Sequence, residues 1–235
     1  MHLKDDHRKV IRYSLSDDSD ADDDIQTFIE GEFERIRRTH TLRRHLPSEW
    51  PARNCINSIV ERSSSHFIYA STVIRFIQSP KHRPDDRLQV ILGLKQPYER
   101  DRSYARLDSL YRLIFLEIQD SVQLGNIYPA FGIMYLRSLK SGLLAWPQWT
   151  SDLHTIDTLL ELRPGDITLL FDPLLSLVTF EKDNIRILHK SLFDYLLDPG
   201  RSGDFRLDVG LAHGEAANYI LRHEKLRDHW GEFPI

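Results

Sequence analysis

A single cysteine, Cys55, among 235 residues excludes an internal disulfide and a thiolate zinc site of the CxxC kind. Long apolar runs are missing too: nothing approaches the roughly 18 residues a membrane-spanning helix needs. The opening MHLKDDHRKV has no apolar core of a secretion signal. Nor is there an excess of positive charge, since 31 Lys and Arg stand against 35 Asp and Glu. Eight Asp among residues 1–24, against Lys4, Arg8, Lys9 and Arg12, account for the whole net charge of −4, and the remainder sums to zero. Counterion release on nucleic acid needs a clustered cationic face, which a neutral body does not supply. Neither nucleic acid nor membrane is therefore expected as a partner, and the expected compartment is the cytoplasm.

The spacings that usually carry catalysis are also absent. No Gly precedes a Lys, so there is no GxxxxGK[ST] phosphate loop, and there is neither a GxSxG elbow nor an HExxH helix. Ile167 to Asp172 looks like the apolar strand plus acid that holds magnesium in nucleotide hydrolases. It follows Pro164-Gly165-Asp166, a helix-start signal, and is read as helix instead. His40 and His45, and His223 and His229, lie five and six residues apart. Two ligands on one helix face need i, i+4 spacing, so these are read as surface histidines. Arg35, Arg37, Arg38, Arg43 and Arg44 could be taken for a phosphate patch; a charged helix end running into a loop accounts for them without one.

What is present is mostly helical periodicity. The hydrophobic share of 41% in a chain of this length is enough for a real core. Residues 14–24 read as an acidic, solvated connector, preceded by a short strand around Val10, Ile11 and Tyr13. From Ile25 an apolar stripe of Ile25, Phe28, Ile29, Phe33 and Ile36 predicts a helix. Leu46-Pro47-Ser48-Glu49-Trp50-Pro51 is a break, because each Pro disfavours helix at the residue before it. Further amphipathic stretches follow around Ile56 to Val60, Phe67 to Ile77, Arg87 to Leu94, 104–120 and Ile127 to Leu139. Pro80 and Pro84 are read as ending the second of these, with Asp85 and Asp86 capping the next.

The last third is different in kind. A helix with Leu153, Ile156, Leu159 and Leu160, opened by Ser151 or Asp152, leads through Arg163-Pro164-Gly165-Asp166 into a very apolar helix ending near Val178. Pro173 should kink or split it. Val178 to Glu181 and Ile185 to Leu188 then form a hairpin around Lys182-Asp183-Asn184. Helix, turn, helix and two-stranded wing make the outline of a winged-helix domain. A DNA-reading helix must offer cations or amides to the groove, yet between Asp166 and Val178 there is neither. A helix apolar on every side is expected to be buried against more protein.

Four strings in succession, FIYASTVIRFI, RLQVILGL, YARLDSLYRLIF and SLVTFEKDNIRILHKSLFDYLLDPGRSGDFRLD, resemble the fungal NACHT-type signal-transduction ATPases from about Val10 to about Leu221. The fold the resemblance implies is mainly α, a helical lid bundle followed by a winged-helix domain with a short β-hairpin. Residues 1–23 would be a remnant of the ATPase core, Val10 to Leu15 its last strand, joined to the acidic connector. Residues 24–145 would be the helical lid region, 146–200 the winged-helix domain, and 201–235 the start of a C-terminal helical region. His189, in Ile187-Leu188-His189-Lys190-Ser191, matches the winged-helix histidine that in related ATPases contacts the β-phosphate of ADP and locks the closed form. Ser65 stands where the family usually has a Gly, and no base-contacting residue is carried over from there. Asp194, Tyr195 and the loop from Asp198 to Gly203 match the family too and are read as capping and turn chemistry.

The resulting expectation is a regulatory fragment, not an enzyme by itself, with ADP or ATP bound only in an intact relative and none by this chain alone. Its expected partners are an upstream ATPase core and a downstream repeat domain, with self-association through the apolar faces these would cover. Two other classes compete: a truncated protein-interaction scaffold pairing with full-length relatives, and a winged-helix DNA-binding regulator.

Overall fold

The computed structural model describes residues 18–94, 104–119, 124–138 and 153–212, and residues 214, 217 and 218 beyond them. Among these the architecture is mainly helical, with one two-stranded antiparallel sheet. The strand expected at Val10 to Leu15, the caps at Ser151 and Asp152, and His223 and His229 lie outside the described residues.

The first four helices form a bundle. Helix α1 spans Asp18–Thr39 and buries Ile25, Ile29, Phe33 and Ile36, a 4-4-3 spacing that keeps all four on one face. It starts at Asp18 rather than at Ile25, a correction to the acidic connector. Carboxylates in a first helical turn sit at the positive end of the helix dipole, so the acidic run favours helix there. Helices α2 (Arg53–Ser63), α3 (Phe67–Ile77) and α4 (Pro84–Gly93) follow. Pro84 is the first residue of α4, where its missing N–H is no loss, rather than the end of α3. Between α1 and α2 the proline-rich break is clamped from α1: Arg37 donates to the carbonyls of Trp50 and Ser48 at 2.7 and 2.9 Å. Trp50 meets Phe33 edge-on, ring centroids 5.2 Å apart. Arg62 ties α2 to the end of α4 through the carbonyls of Ile91 and Leu92, at 2.6 and 2.8 Å.

Helices α5 (Ala105–Gln119) and α6 (Leu124–Ser138) join this bundle to the last third. On α5, Leu107, Leu110, Tyr111, Ile114, Phe115 and Ile118 are all buried. Phe115 touches three other rings, with centroid distances of 6.0 Å to Phe131, 6.5 Å to Tyr195 and 5.5 Å to Phe205. Each such ring pair adds roughly 0.5–1.5 kcal/mol beyond its area term. One core therefore runs from Ile25 to Leu207.

Helices α7 (Leu153–Leu159) and α8 (Asp166–Phe171) are joined by a tight turn with Gly165 at φ +90°. At Pro173 the helix does break: Asp172–Leu174 is a 3-10 turn. Strands β1 (Val178–Glu181) and β2 (Asn184–Ile187) pair with Glu181 opposite Asn184. Asn184 thus belongs to the strand and the turn is two residues, Lys182 and Asp183, one shorter than expected. Lys182 holds φ +54°. Helices α9 (Ser191–Leu197) and α10 (Pro199–Ser202) follow, and Asp198 caps α10 through its side chain, accepting from Gly200 N at 2.8 Å.

Helix α8 is not buried all round. Ile167, Leu170 and Phe171 face the core, while Leu169 is 66% exposed. No basic residue lies on α8 itself. At its two ends Arg163 pairs with Asp166 at 3.1 Å and Lys81 with Asp172 at 2.5 Å.

Candidate functional site

His189 lies between the end of β2 and the start of α9. The hairpin holds this junction, since Leu188 N donates to Leu177 O at 3.0 Å just beyond the paired strands. The ring is fixed from behind. Its Nδ1 accepts the backbone N–H of Ser191 at 3.1 Å and lies 2.8 Å from Ser191 Oγ. Ser191 Oγ is in turn 2.8 Å from the Tyr111 hydroxyl of α5. A nitrogen that accepts a backbone N–H carries no proton, so the neutral ring holds its proton on Nε2. Burial pulls the His189 pKa below its ordinary value, a pull that Asp194 partly opposes. Burial likewise pushes the Tyr111 hydroxyl up to about 12, against the opposing pull of its bond to Ser191. At neutral pH both groups are uncharged, and the chain runs Tyr111 O–H to Ser191 Oγ, Ser191 O–H to Nδ1, with Nε2–H left as the donor.

His189 lines a cleft of about 400 Å³ whose opposite wall is α3. From α3 come Phe67, Ser71, Thr72 and Arg75, and from the hairpin side Ser176 and Leu188. His66 and Tyr104 close one end, their rings edge to face at 6.0 Å. His66 has the opposite tautomer to His189. Its Nδ1 lies 2.5 Å from the Ser64 carbonyl, which can only accept, so in the neutral ring Nδ1 carries the proton and Nε2 is left to accept. One cleft thus holds a ring donor at His189, a ring acceptor at His66, a guanidinium at Arg75 and the aromatic faces of Phe67 and Tyr104.

Other residues singled out in the sequence take structural roles. His40 is a correction: it is buried, not on the surface, and caps the end of α1. Its Nδ1 accepts Leu42 N–H at 3.1 Å and its Nε2 donates to Ser79 O at 3.1 Å. An imidazole satisfied at both nitrogens sits in a core without penalty. His45 is exposed as expected. The arginines at and after the end of α1 divide among local partners, Arg35 with Glu32, Arg38 with Glu34 and Arg43 with the His40 carbonyl. Asp172, the acid of the apolar string, pairs with Lys81. Ser64 and Ser65 both hold left-handed backbone, φ +47° and +59°, the geometry that a glycine would adopt without strain. Tyr195 is buried under α5, and Asp194 is exposed.

Residues outside the sequence reading complete the setting. Asp157 of α7, 2% exposed, accepts Gly165 N at 2.7 Å and Ile167 N at 2.8 Å and so caps α8 from a distance. Arg201 holds Asp108 by two bonds of 2.9 and 2.7 Å, fastening α10 to α5. These partners are far apart in sequence, and the only local hint was a carboxylate within an otherwise apolar helical pattern. Compared with family models, with curated proteins and with solved structures, the chain matches none.

Proposed function

We propose that this chain is the regulatory helical and winged-helix part of a NACHT-type signal-transduction ATPase, without catalysis of its own. In this reading α6, α7 and α8 are the three-helix core of the winged helix and β1–β2 its wing. The cleft between α3 and the β2–α9 junction is the face that closes over ADP held by an upstream ATPase core. His189 donates Nε2–H to a β-phosphate oxygen, while Arg75 supplies charge and the His66, Phe67 and Tyr104 end receives the base. A donor on His66 would be useless there; its acceptor Nε2 suits an exocyclic amine.

The observation that carries this reading is the fixed tautomer of His189. A histidine serving only to fill a strand-to-helix junction needs no particular ring nitrogen free, whereas here Ser191, itself bonded to Tyr111, fills Nδ1 and leaves Nε2–H as the donor. Coupling follows from unequal affinity: ADP favours the closed arrangement by the bonds it makes there, and whatever lacks them releases it. In the chain joined to an ATPase core, His189→Ala should speed ADP release by roughly tenfold, the worth of one charge-assisted hydrogen bond. Release measured with a fluorescent ADP analogue decides it, and an unchanged rate returns His189 to a purely structural role.

Leu169, 66% exposed, and Leu211, 63% exposed, favour a second reading, an interaction scaffold that pairs with full-length relatives. Light scattering separates the two: a fragment without its core should self-associate as concentration rises, and a scaffold kept by selection should stay monodisperse. A DNA-reading role has less support, because α8 offers no cation and its neighbours Arg163 and Lys81 are already paired.

A further inference from the structure

Beside the His189 cleft lies a larger one, about 510 Å³, between the ends of α1 and α3, the Pro80–His82 loop and the start of β1. Arg75 and Ser176 line both. Four cations line the larger cleft, Arg35, Arg75, Lys81 and Arg87, against one carboxylate, Asp172. The two imidazoles on its wall add no charge. His40 is satisfied at both nitrogens as a neutral ring, and His82 Nδ1 accepts from Arg87 Nη2 at 2.9 Å.

The polar groups left over are donors. Arg75 has neither hydrogen bond nor ion pair among the described residues. Arg35 uses Nε and Nη2 on Glu32, at 3.0 and 2.5 Å, and Nη2 also on Gln78. Lys81 commits one of its three protons to Asp172. Deeper in, Arg87 is 7% exposed and Ser176 6% exposed, and Arg87 Nε and Ser176 Oγ are buried with no partner. Arg87 Nη1 and Nη2 are already held by Phe76 O at 3.3 Å and Glu117 at 2.9 Å. Both residues belong to the cleft wall, so each brings an unused buried donor to its edge.

We propose that this cleft is a second binding site, for a small soluble phosphomonoester or inorganic phosphate, distinct from the site at His189. A phosphate dianion has acceptors on every side, matches the Arg75 fork bidentately and leaves Lys81 free to keep Asp172 with one proton while donating another. A neutral or cationic ligand would leave the donors as they are. The two clefts meet at Arg75, so occupation of the larger one draws that guanidinium away from the smaller, which gives the pair a route to antagonism.

Titration of the full chain with inorganic phosphate and with glycerol 2-phosphate, at constant ionic strength set by sodium chloride and followed by calorimetry and thermal melting, tests this. Both probes should bind and raise the melting temperature. Arg75→Gln should weaken phosphate at least tenfold and Lys81→Gln about threefold, while His189→Ala should change it less than twofold. Circular dichroism of each variant checks that the fold is kept, and Ser176→Ala, the mildest change, should still weaken binding measurably if either cation variant unfolds. Stabilisation reproduced by chloride alone, or affinity within twofold of the parent in Arg75→Gln, overturns the site. Loss of phosphate binding in His189→Ala also overturns it, since the anion would then sit in the smaller cleft. The nucleotide reading is judged separately, by ADP release from the core-linked chain carrying His189→Ala.

Discussion

Helices α1 to α4 run 22, 11, 11 and 10 residues, whereas α7, α8, α9 and α10 run 7, 6, 7 and 4 around strands of four residues each. Helix nucleation is unfavourable enough that pieces of four to seven residues cannot stand by propensity. The two regions therefore hold together differently. In the bundle, apolar stripes do the work and the polar ties, such as Arg62 to Ile91 O and Arg37 to Trp50 O, reach helix ends and loop carbonyls. In the hairpin region the ties lie inside: Asp157 on two amides, Tyr111 on Ser191, Ser202 on the carbonyl of Asp198. Both walls of the His189 cleft come from this contrast, one a long regular helix and the other a junction that exists only because side chains fix it.

Alkaline pH should load the hairpin region and the helices that join it to the bundle most heavily. Burial pushes the hydroxyls of Tyr111, Tyr128 and Tyr195, on α5, α6 and α9, up to about 12. Since the unfolded chain ionises near the ordinary value of 10 and the folded one does not, stability is intact below pH 10 and falls as pH rises through 12. Each group contributes on the order of 2 kcal/mol to that loss. Tyr69 of α3 is raised as well, but Arg62 opposes the burial there. The measurable outcome is tyrosinate absorbance appearing together with the collapse of near-ultraviolet dichroism above pH 10. Ionisation at ordinary pH with the dichroism unchanged would mean those hydroxyls are not sequestered.

Asp157→Ala sets the regions against each other by a single side chain. It strips two amides at the start of α8 of their acceptor in a buried place, and should lower stability by about 3 kcal/mol in urea unfolding. Arg62→Met keeps the aliphatic stem and leaves the ends of α4 to water, so it should cost about 1 kcal/mol or less. Equal losses from the two would erase the distinction between a region tied inside and one tied at its edges.

Legibility from sequence follows the same line. The bundle helices could be read because their apolar spacing is regular, as at Ile25, Ile29, Phe33 and Ile36. The start of α1 could not, because Asp favours a solvated loop by composition and a helix N-terminus by position, and only position decides. His189 was visible as a residue at a strand-to-helix junction, and the break at Pro173 as a ring with no N–H. Its tautomer was not visible: that depends on Tyr111, 80 residues from Ser191. Arg201 and Asp108 are 93 apart. The burial of His40, read from its spacing as a surface residue, was hidden for a similar reason, since its acceptor is the carbonyl of Ser79, 39 residues on. Short-range pattern recovers what burial periodicity encodes, and side-chain partners chosen across the fold leave no period.

The bundle has a weak point of its own, at the α2–α3 joint, where Ser64 and Ser65 both occupy the left-handed region. A side chain there crowds its own carbonyl, at roughly 1 kcal/mol per residue relative to glycine. Ser65 recovers part of that through Oγ, which donates to Asp22 Oδ1 on α1 at 3.2 Å in a half-exposed setting. Ser65→Gly removes the strain together with that bond, and should raise stability by about 0.5 kcal/mol where the strain is the larger, seen as a higher denaturation midpoint with unchanged slope. The sign matters more than the size. A gain means the joint is held in place by helices packed on either side of it, as a region built on apolar stripes requires. A loss would mean that Ser65 fastens α1 to the joint by its side chain, and the bundle would then depend on polar ties in the same way as the hairpin region.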